Sequence, residues 1–216
     1  MKRYDAVIAG YTCIDLIPDF NRDTRTKSVS DFFVPGKLIE IEGVDFVLGG
    51  AVPNTGLAMK KFGRKVFLNG LIGQDSMGDI AEKMLSGYGA FEGMYRTDQA
   101  STAFSIVISP PGIDRIFLEA PGCNQLFDIN DIDYEAIADA RLFHFGYPPL
   151  LKQFFINNGE QLMQMYAKID RMGVVTSLDF SLPDPESESG KVNWPEIMQN
   201  TFPFVDIFVP SVEELI

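Results

Sequence analysis

Apolar and polar positions recur along this chain with two periods, and the alternation between them marks its elements. Residues 4–10 (YDAVIAG) are a short apolar run closed by glycine, the pattern of a central strand buried on both faces. In residues 37–42, Ile39 and Ile41 alternate with Glu40 and Glu42, which predicts a strand with one wet face. Residues 52–62 read as a helix, with Pro53 in the first turn and Leu57, Ala58 and Phe62 on one side. A strand over 65–71 follows, then a helix over 76–88 whose apolar positions are Ile80, Met84, Leu85 and Tyr88. Shorter extended pieces lie around Met94, over 105–108 and over 116–118, the last two separated by a Pro110-Pro111-Gly112 turn. From residue 131 the rhythm is regular. It gives a helix to 140, a strand 142–146, a long helix 151–172, a strand 174–178, a helix 194–201 and a strand 207–209.

Strands alternating with helices of this length predict an α/β fold whose parallel sheet is covered on both faces. Segments 15–50 and 95–120 do not share that rhythm and read as a small, mostly antiparallel flap or lid outside the main sheet. Ser211 and Glu214 are spaced as a capping box, which announces a helix, yet only Leu215 and Ile216 follow. The expectation is a chain that stops inside an element.

Composition narrows the function. With 46% apolar and 22% charged residues over 216 positions, the chain has enough apolar surface for a sizeable core and is not a disordered one. Thirty acidic against 18 basic residues give a net charge of −12, which opposes a nucleic-acid or anionic-membrane footprint. A single histidine, His144, rules out a multi-histidine metal site. It lies in a predicted buried strand, where a core imidazole satisfied by a backbone partner is expected, and no catalytic role is assigned to it. Two cysteines, Cys13 and Cys123, cannot form a zinc knuckle and fit a reducing, cytoplasmic compartment. The apolar run after Met1-Lys2-Arg3 is cut by Asp5 and Asp15 and reads as strand and turn rather than signal peptide. No stretch of about 18 uninterrupted apolar residues exists to span a membrane.

Ligands of open α/β sheets bind outside the carboxyl ends of the strands. Those ends are Gly10 and the loop to Asp15, the turn Gly70 to Asp75, Gly146, Asp179 and Pro210. Glycine permits close backbone approach, and a carboxylate there can accept from two hydroxyls of a polyol. Asp75 reads first as the cap of the helix that follows it. Gly49-Gly50-Ala51-Val52-Pro53-Asn54 places two glycines and an asparagine at a helix start, a site for a polar or anionic ligand. Neither a Gly-x-x-x-x-Gly-Lys-Ser/Thr loop nor a Gly-x-Gly-x-x-Gly fingerprint occurs.

Gly49-Gly50 with Asn54, then Gly63, then Gly70-x-x-Gly73-x-Asp75-x-x-Gly78, resembles the N-terminal signature of the pfkB-type, ribokinase-like carbohydrate kinases. Gly10 and Asp15 resemble the family's first-strand glycine and substrate aspartate, Asp114-Arg115 its lid turn, and Gly122-Cys123-Asn124 its Gly-Ala-Asn segment. The resemblance covers most of the chain. It implies a parallel α/β sandwich with a small β lid, residues 1–216 being an incomplete domain of this kind, and transfer of the ATP γ-phosphoryl to a sugar or nucleoside hydroxyl. It implies that Asp15, Gly49, Gly50, Asn54 and Asn124 bind the sugar, and that Ser211 and Glu214 help organise magnesium and phosphate, Glu214 indirectly. Lids of the family often pair, so a homodimer is implied, with residues 37–48 as the edge. Two positions depart from the pattern: Asp179-Phe180-Ser181 stands for an Asp-x-Asn, and Ser211 for an asparagine. The second signature, which carries the catalytic aspartate and an anion hole in a Gly-Ala-Gly-Asp string, has no counterpart in these residues. ATP and magnesium therefore belong to the complete enzyme and neither is assigned to this chain alone, which is expected to be inactive. A non-catalytic sugar-binding or interaction protein derived from the same fold is the alternative.

Overall fold

Successive side chains of the first strand enter two different cores. Ala6 and Ile8 join one apolar cluster, Val7 and Ala9 the other, and all four are fully buried. A sheet buried on both faces needs such runs of apolar residues with no polar alternate. The computed structural model describes residues 2–20 and 28–214. Its strands are β1 (Tyr4–Gly10), β2 (Cys13–Asp19), β3 (Gly43–Gly49), β4 (Val66–Gly73), β5 (Gly93–Thr97), β6 (Phe104–Ile108), β7 (Ile116–Ala120), β8 (Ala140–Gly146), β9 (Val175–Asp179) and β10 (Ile207–Val209). The helices are α1 (Val29–Phe32), α2 (Ala51–Lys61), α3 (Ser76–Gly87), α4 (Tyr134–Ala138), α5 (Lys152–Asp170) and α6 (Trp194–Thr201).

The main sheet has the order β10-β9-β8-β1-β4-β5, and every pair is parallel. On one face Val52 and Leu57 of α2 and Ala81 and Leu85 of α3 pack against Ile8, Leu68 and Ile72. On the other, Ile137 of α4, Phe154, Leu162 and Tyr166 of α5 and Ile197 of α6 pack against Phe143, Phe145 and Leu178. The chain runs from β1 outward to β4 and β5, then returns past β1 to β8. A crevice therefore opens between β1 and β8 at their carboxyl ends. A second sheet, β3-β2-β6-β7, stands over that end. Its β2–β3 and β6–β7 pairs are antiparallel and its β2–β6 pair is parallel.

Several expectations shift. The strand expected over 37–42 begins only at Gly43, where pairing with β2 starts opposite Asp19. Pairing with a neighbour, and not the alternation of Ile39 and Ile41, decides where this strand forms. The piece around Met94 is not part of the small sheet, because β5 lies at the edge of the main sheet against β4. The long helix over 151–172 is broken: Ile156 is extended and Asn157, Asn158 and Gly159 take φ values of 51°, 59° and 69°. Asparagine and glycine are the residues that tolerate this left-handed turn, and Asn158 is held there by a 2.7 Å bond from Nδ2 to Glu196 Oε1. The helix expected over 131–140 shrinks to α4, capped by Asp133, which accepts from Ala136 N–H. At the carboxyl end Ser211 N–H donates to Glu214 Oε2 at 2.7 Å, one half of the expected capping box. Residues 212–214 form a bend and turn; Leu215 and Ile216, where the expected helix would continue, and residues 21–27 of the 15–50 segment lie outside the described residues.

Candidate functional site at the carboxyl ends of the strands

A cleft of about 870 Å³ occupies the crevice, bounded below by the ends of β1, β8, β9 and β10 and above by the second sheet. Strand register builds its upper wall. Asp15 on β2 pairs with Ser105 on β6, and Ser105 pairs with Glu119 on β7. Directly paired residues project to the same face, so the three form one polar row across the sheet, and all three line the cleft. Cys13, two positions before Asp15, shares that face and donates from Sγ to Asp15 Oδ1 at 3.5 Å. Burial raises the Asp15 pKa, and the thiol contact partly offsets it.

Gly49 and Gly50 shape the junction of β3 and α2. A side chain at Gly49 would run into the Asp15 carboxylate, so the glycine leaves that carboxylate its place. Gly50 has φ 89°, and a Cβ there would fall 2.5 Å from the Tyr11 carbonyl oxygen. Val52 N–H donates to that same carbonyl at 3.1 Å and Pro53 has no N–H, so this helix start exposes fewer free donors than its sequence suggests. Asn54, in the first turn of α2, lines the cleft and is a hydrogen-bond partner of Tyr147.

Asn124 does not line the cleft. It is fully buried, donates from Nδ2 to Thr12 O at 2.9 Å and accepts from Thr12 N–H at 3.4 Å. Its amide clamps the turn between β1 and β2 and so holds Tyr11 and Asp15 in position. Asp75 is the cap of α3, accepting from Gly78 N–H at 2.8 Å, and also accepts from Thr102 N–H at 2.7 Å. Burial pushes its pKa up, the hydrogen bonds outweigh that, and the net shift is downward.

Asp179 closes β9 at the floor, and Ser211 and Glu214 follow β10; all three line the cleft. Burial raises the Asp179 pKa to about 6; the Phe180 N–H opposes the rise and the Glu214 charge adds to it. Ser181 Oγ, which stands where the resemblance implies asparagine, is buried in this wall with no hydrogen-bond partner among the described residues. Sequence reasoning missed Tyr11, Ser105, Glu119 and Tyr147. Tyr11 donates from its hydroxyl to Glu119 Oε1 at 2.7 Å, tying the β1 end to the second sheet. Tyr147 sits at φ 64° and ψ 50°, a conformation that costs about 1–3 kcal/mol in a non-glycine residue and clusters at functional sites. The signal for it was the Gly146-Tyr147-Pro148-Pro149 string at a strand end. His144 lies away from the cleft, and its partner is not backbone but the Ser177 hydroxyl, 3.0 Å from Nδ1.

The lining thus holds four carboxylates, Asp15, Glu119, Asp179 and Glu214, with Arg115 as its only cation among the described residues. Carboxylates accept and do not donate, so a lining of this kind suits hydroxyl donors such as those of a polyol, or a cationic group, and disfavours a bare anion. Among the described residues no group of three or more His, Cys, Asp and Glu side chains could hold a metal ion, and no helix is long and apolar enough to cross a membrane.

Residues 5–215 match the family model for pfkB family carbohydrate kinases. The chain is 28% identical over 147 residues to the probable fructokinase-5 of Arabidopsis thaliana, covering 67% of this chain and 41% of that protein. A fructokinase from Xylella fastidiosa, solved with bound ATP, superposes with a TM-score of 0.74 at 20% identity, covering 98% of this chain and 59% of the other. A ribokinase from Giardia lamblia gives 0.75 at 17% identity, covering 98% and 63%. The chain therefore spans about two fifths of its curated relative. It spans about three fifths of these two structures.

Proposed function

The chain belongs to the pfkB family of carbohydrate kinases, and from that premise we propose that it forms the acceptor half of a sugar kinase that transfers the γ-phosphoryl of ATP to a hydroxymethyl group. The row of Asp15, Ser105 and Glu119 facing the cleft is the observation that carries this reading. Two carboxylates flanking a hydroxyl grip several sugar hydroxyls at once, and such a site discriminates strongly against analogues that lack one. Asp15 and Asn54 hold the sugar directly, Gly50 gives it backbone to approach, Gly49, which does not line the cleft, leaves room for the Asp15 carboxylate, and Asn124 acts through Thr12 by fixing the turn that carries Asp15. The second sheet is the lid of this site.

Phosphoryl transfer is a matter of positioning and of stabilising spread-out negative charge. Within these 216 residues no Gly-Ala-Gly-Asp string supplies a base and anion hole. We assign both to sequence outside them, so this chain alone binds sugar and turns over little or none. Magnesium would supply charge neutralisation for the phosphates. It keeps several waters and needs few protein oxygens, which suits Glu214: one oxygen is taken by Ser211 N–H, and the carboxylate faces the cleft. The unpartnered Ser181 Oγ supports a ligand on the same wall. Two free, buried cysteines support a cytoplasmic setting. Exposed Val44, Phe46 and Leu118, on the face of the second sheet turned away from the cleft, support its pairing with a second copy.

Sugar-dependent ADP release by the purified chain tests the assignment, with light scattering on the same preparation. The expected result is no turnover above background and a mass of two chains. Turnover that Asp15→Ala abolishes would contradict the absence of catalysis, and a single-chain mass would contradict the paired lid.

A further inference from the structure

The cleft does not end where a single sugar would. Glu119, Leu150 and Leu182 line both the cleft and an adjoining chamber of about 340 Å³, so the two spaces lie side by side across these three residues. Resting on the sugar-acceptor reading above, we propose that the acceptor is an extended one, a disaccharide or glycoside, whose second unit occupies this chamber while the reacting unit lies against Asp15.

The chamber is built before any ligand arrives. Its outer wall is the loop after β9, where Asp184 Oδ1 accepts from Glu186 N–H at 3.0 Å and Ser187 Oγ donates to Asp184 O at 2.6 Å. Lys152 of α5 anchors the same loop through Glu188 at 2.7 Å. Gly190 packs so tightly on the Asp184 backbone that a side chain there would not fit. A wall fixed in advance lowers the ordering cost of binding. Its chemistry is two-sided: Leu150, Phe155 and Leu182 give an apolar surface, and Glu119, Gln125 and Asp184 give hydrogen-bonding groups. A pyranose or furanose ring has the same two sides, with C–H groups on its faces and hydroxyls at its edges. Leu182 is 64% exposed at the junction of the two spaces, where a sugar passing between them would cover it. Ligand sites commonly run from about 300 to 1,000 Å³, so the chamber is large enough to hold a ligand unit of its own.

Calorimetric titration of the purified chain with fructose, glucose and ribose, and with sucrose, maltose and isomaltulose, tests this. At least one disaccharide is expected to bind 10-fold or more tightly than either of its component sugars. Glu188→Trp, which plugs the chamber from the loop side, is expected to remove that gain and leave the monosaccharide Kd within twofold, while Glu188→Gln keeps the gain. If monosaccharides bind and every disaccharide binds no better, the inference falls and the sugar reading stands. If the folded chain binds none of the six, the sugar reading falls and takes the inference with it. The unsubstituted chain alone decides between these outcomes should Glu188→Trp fail to fold.

Discussion

Asp179 and His144 are both held away from their ordinary ionisation by burial, and the two act on stability in opposite directions. Asp179 has a folded pKa of about 6, above its unfolded value, so its favourable contribution is complete below the unfolded pKa and is lost as pH rises through 6. At neutral pH a half-buried carboxylate beside Glu214 and Tyr147 is kept charged at a cost to the fold, the pattern of a group retained for its site. His144 has a folded pKa of about 4, below its unfolded value, with Nε2 buried and unpartnered. Its neutral form contributes stability above about pH 6.5 that is lost as pH falls toward 4, on the order of 3 kcal/mol. Thermal melts across pH should separate the two. Asp179→Asn is expected to raise the Tm at pH 8, with the difference closing by pH 4, and His144→Gln to flatten the loss between pH 6.5 and 4. An Asp179→Asn protein that melts lower at pH 8 would show that the charge stabilises the fold.

The β1–β2 turn and the β3–α2 junction lock together through backbone, and this lock sets where Asp15 points. Tyr11 O receives Val52 N–H, and Asn124 holds both polar backbone atoms of Thr12. Removing a partner from buried backbone groups costs about 1–3 kcal/mol each. Asn124→Ala should therefore lower the unfolding free energy by about 3 kcal/mol in urea titrations and weaken sugar binding through misplacement of Asp15. A loss under about 0.5 kcal/mol would mean that Thr12 finds other partners. Elements with one clear period were legible in the sequence: β1, α6 and β10 lie where their patterns put them. What escaped depended on contacts between distant segments. The break at Asn157 to Gly159 rests on Glu196, far along the chain, and the start of β3 rests on its pairing with β2. The site divided in the same way. Asp15, Gly50 and Asn54 follow from local motifs, whereas Glu119 joins them only through the register of three strands. Asn124 was expected against the sugar, and its fully buried place on the Thr12 backbone, away from the cleft lining, was not legible.

Across the molecule, a net charge of −12 and a cleft lined by four carboxylates favour a neutral ligand over an anionic one. Two sheets meet over one crevice, and each brings part of its lining. On the proposed reading a sugar binds in this crevice through Asp15 whether or not phosphoryl transfer follows. Calorimetric titration of the chain and of Asp15→Ala with fructose tests it most directly. The account predicts saturable binding at a 1:1 ratio of sugar to chain, weakened at least 30-fold in Asp15→Ala while the circular dichroism spectrum and Tm stay close to those of the parent. Fructose binding unchanged in a folded Asp15→Ala protein, or absent from the folded parent, would contradict it.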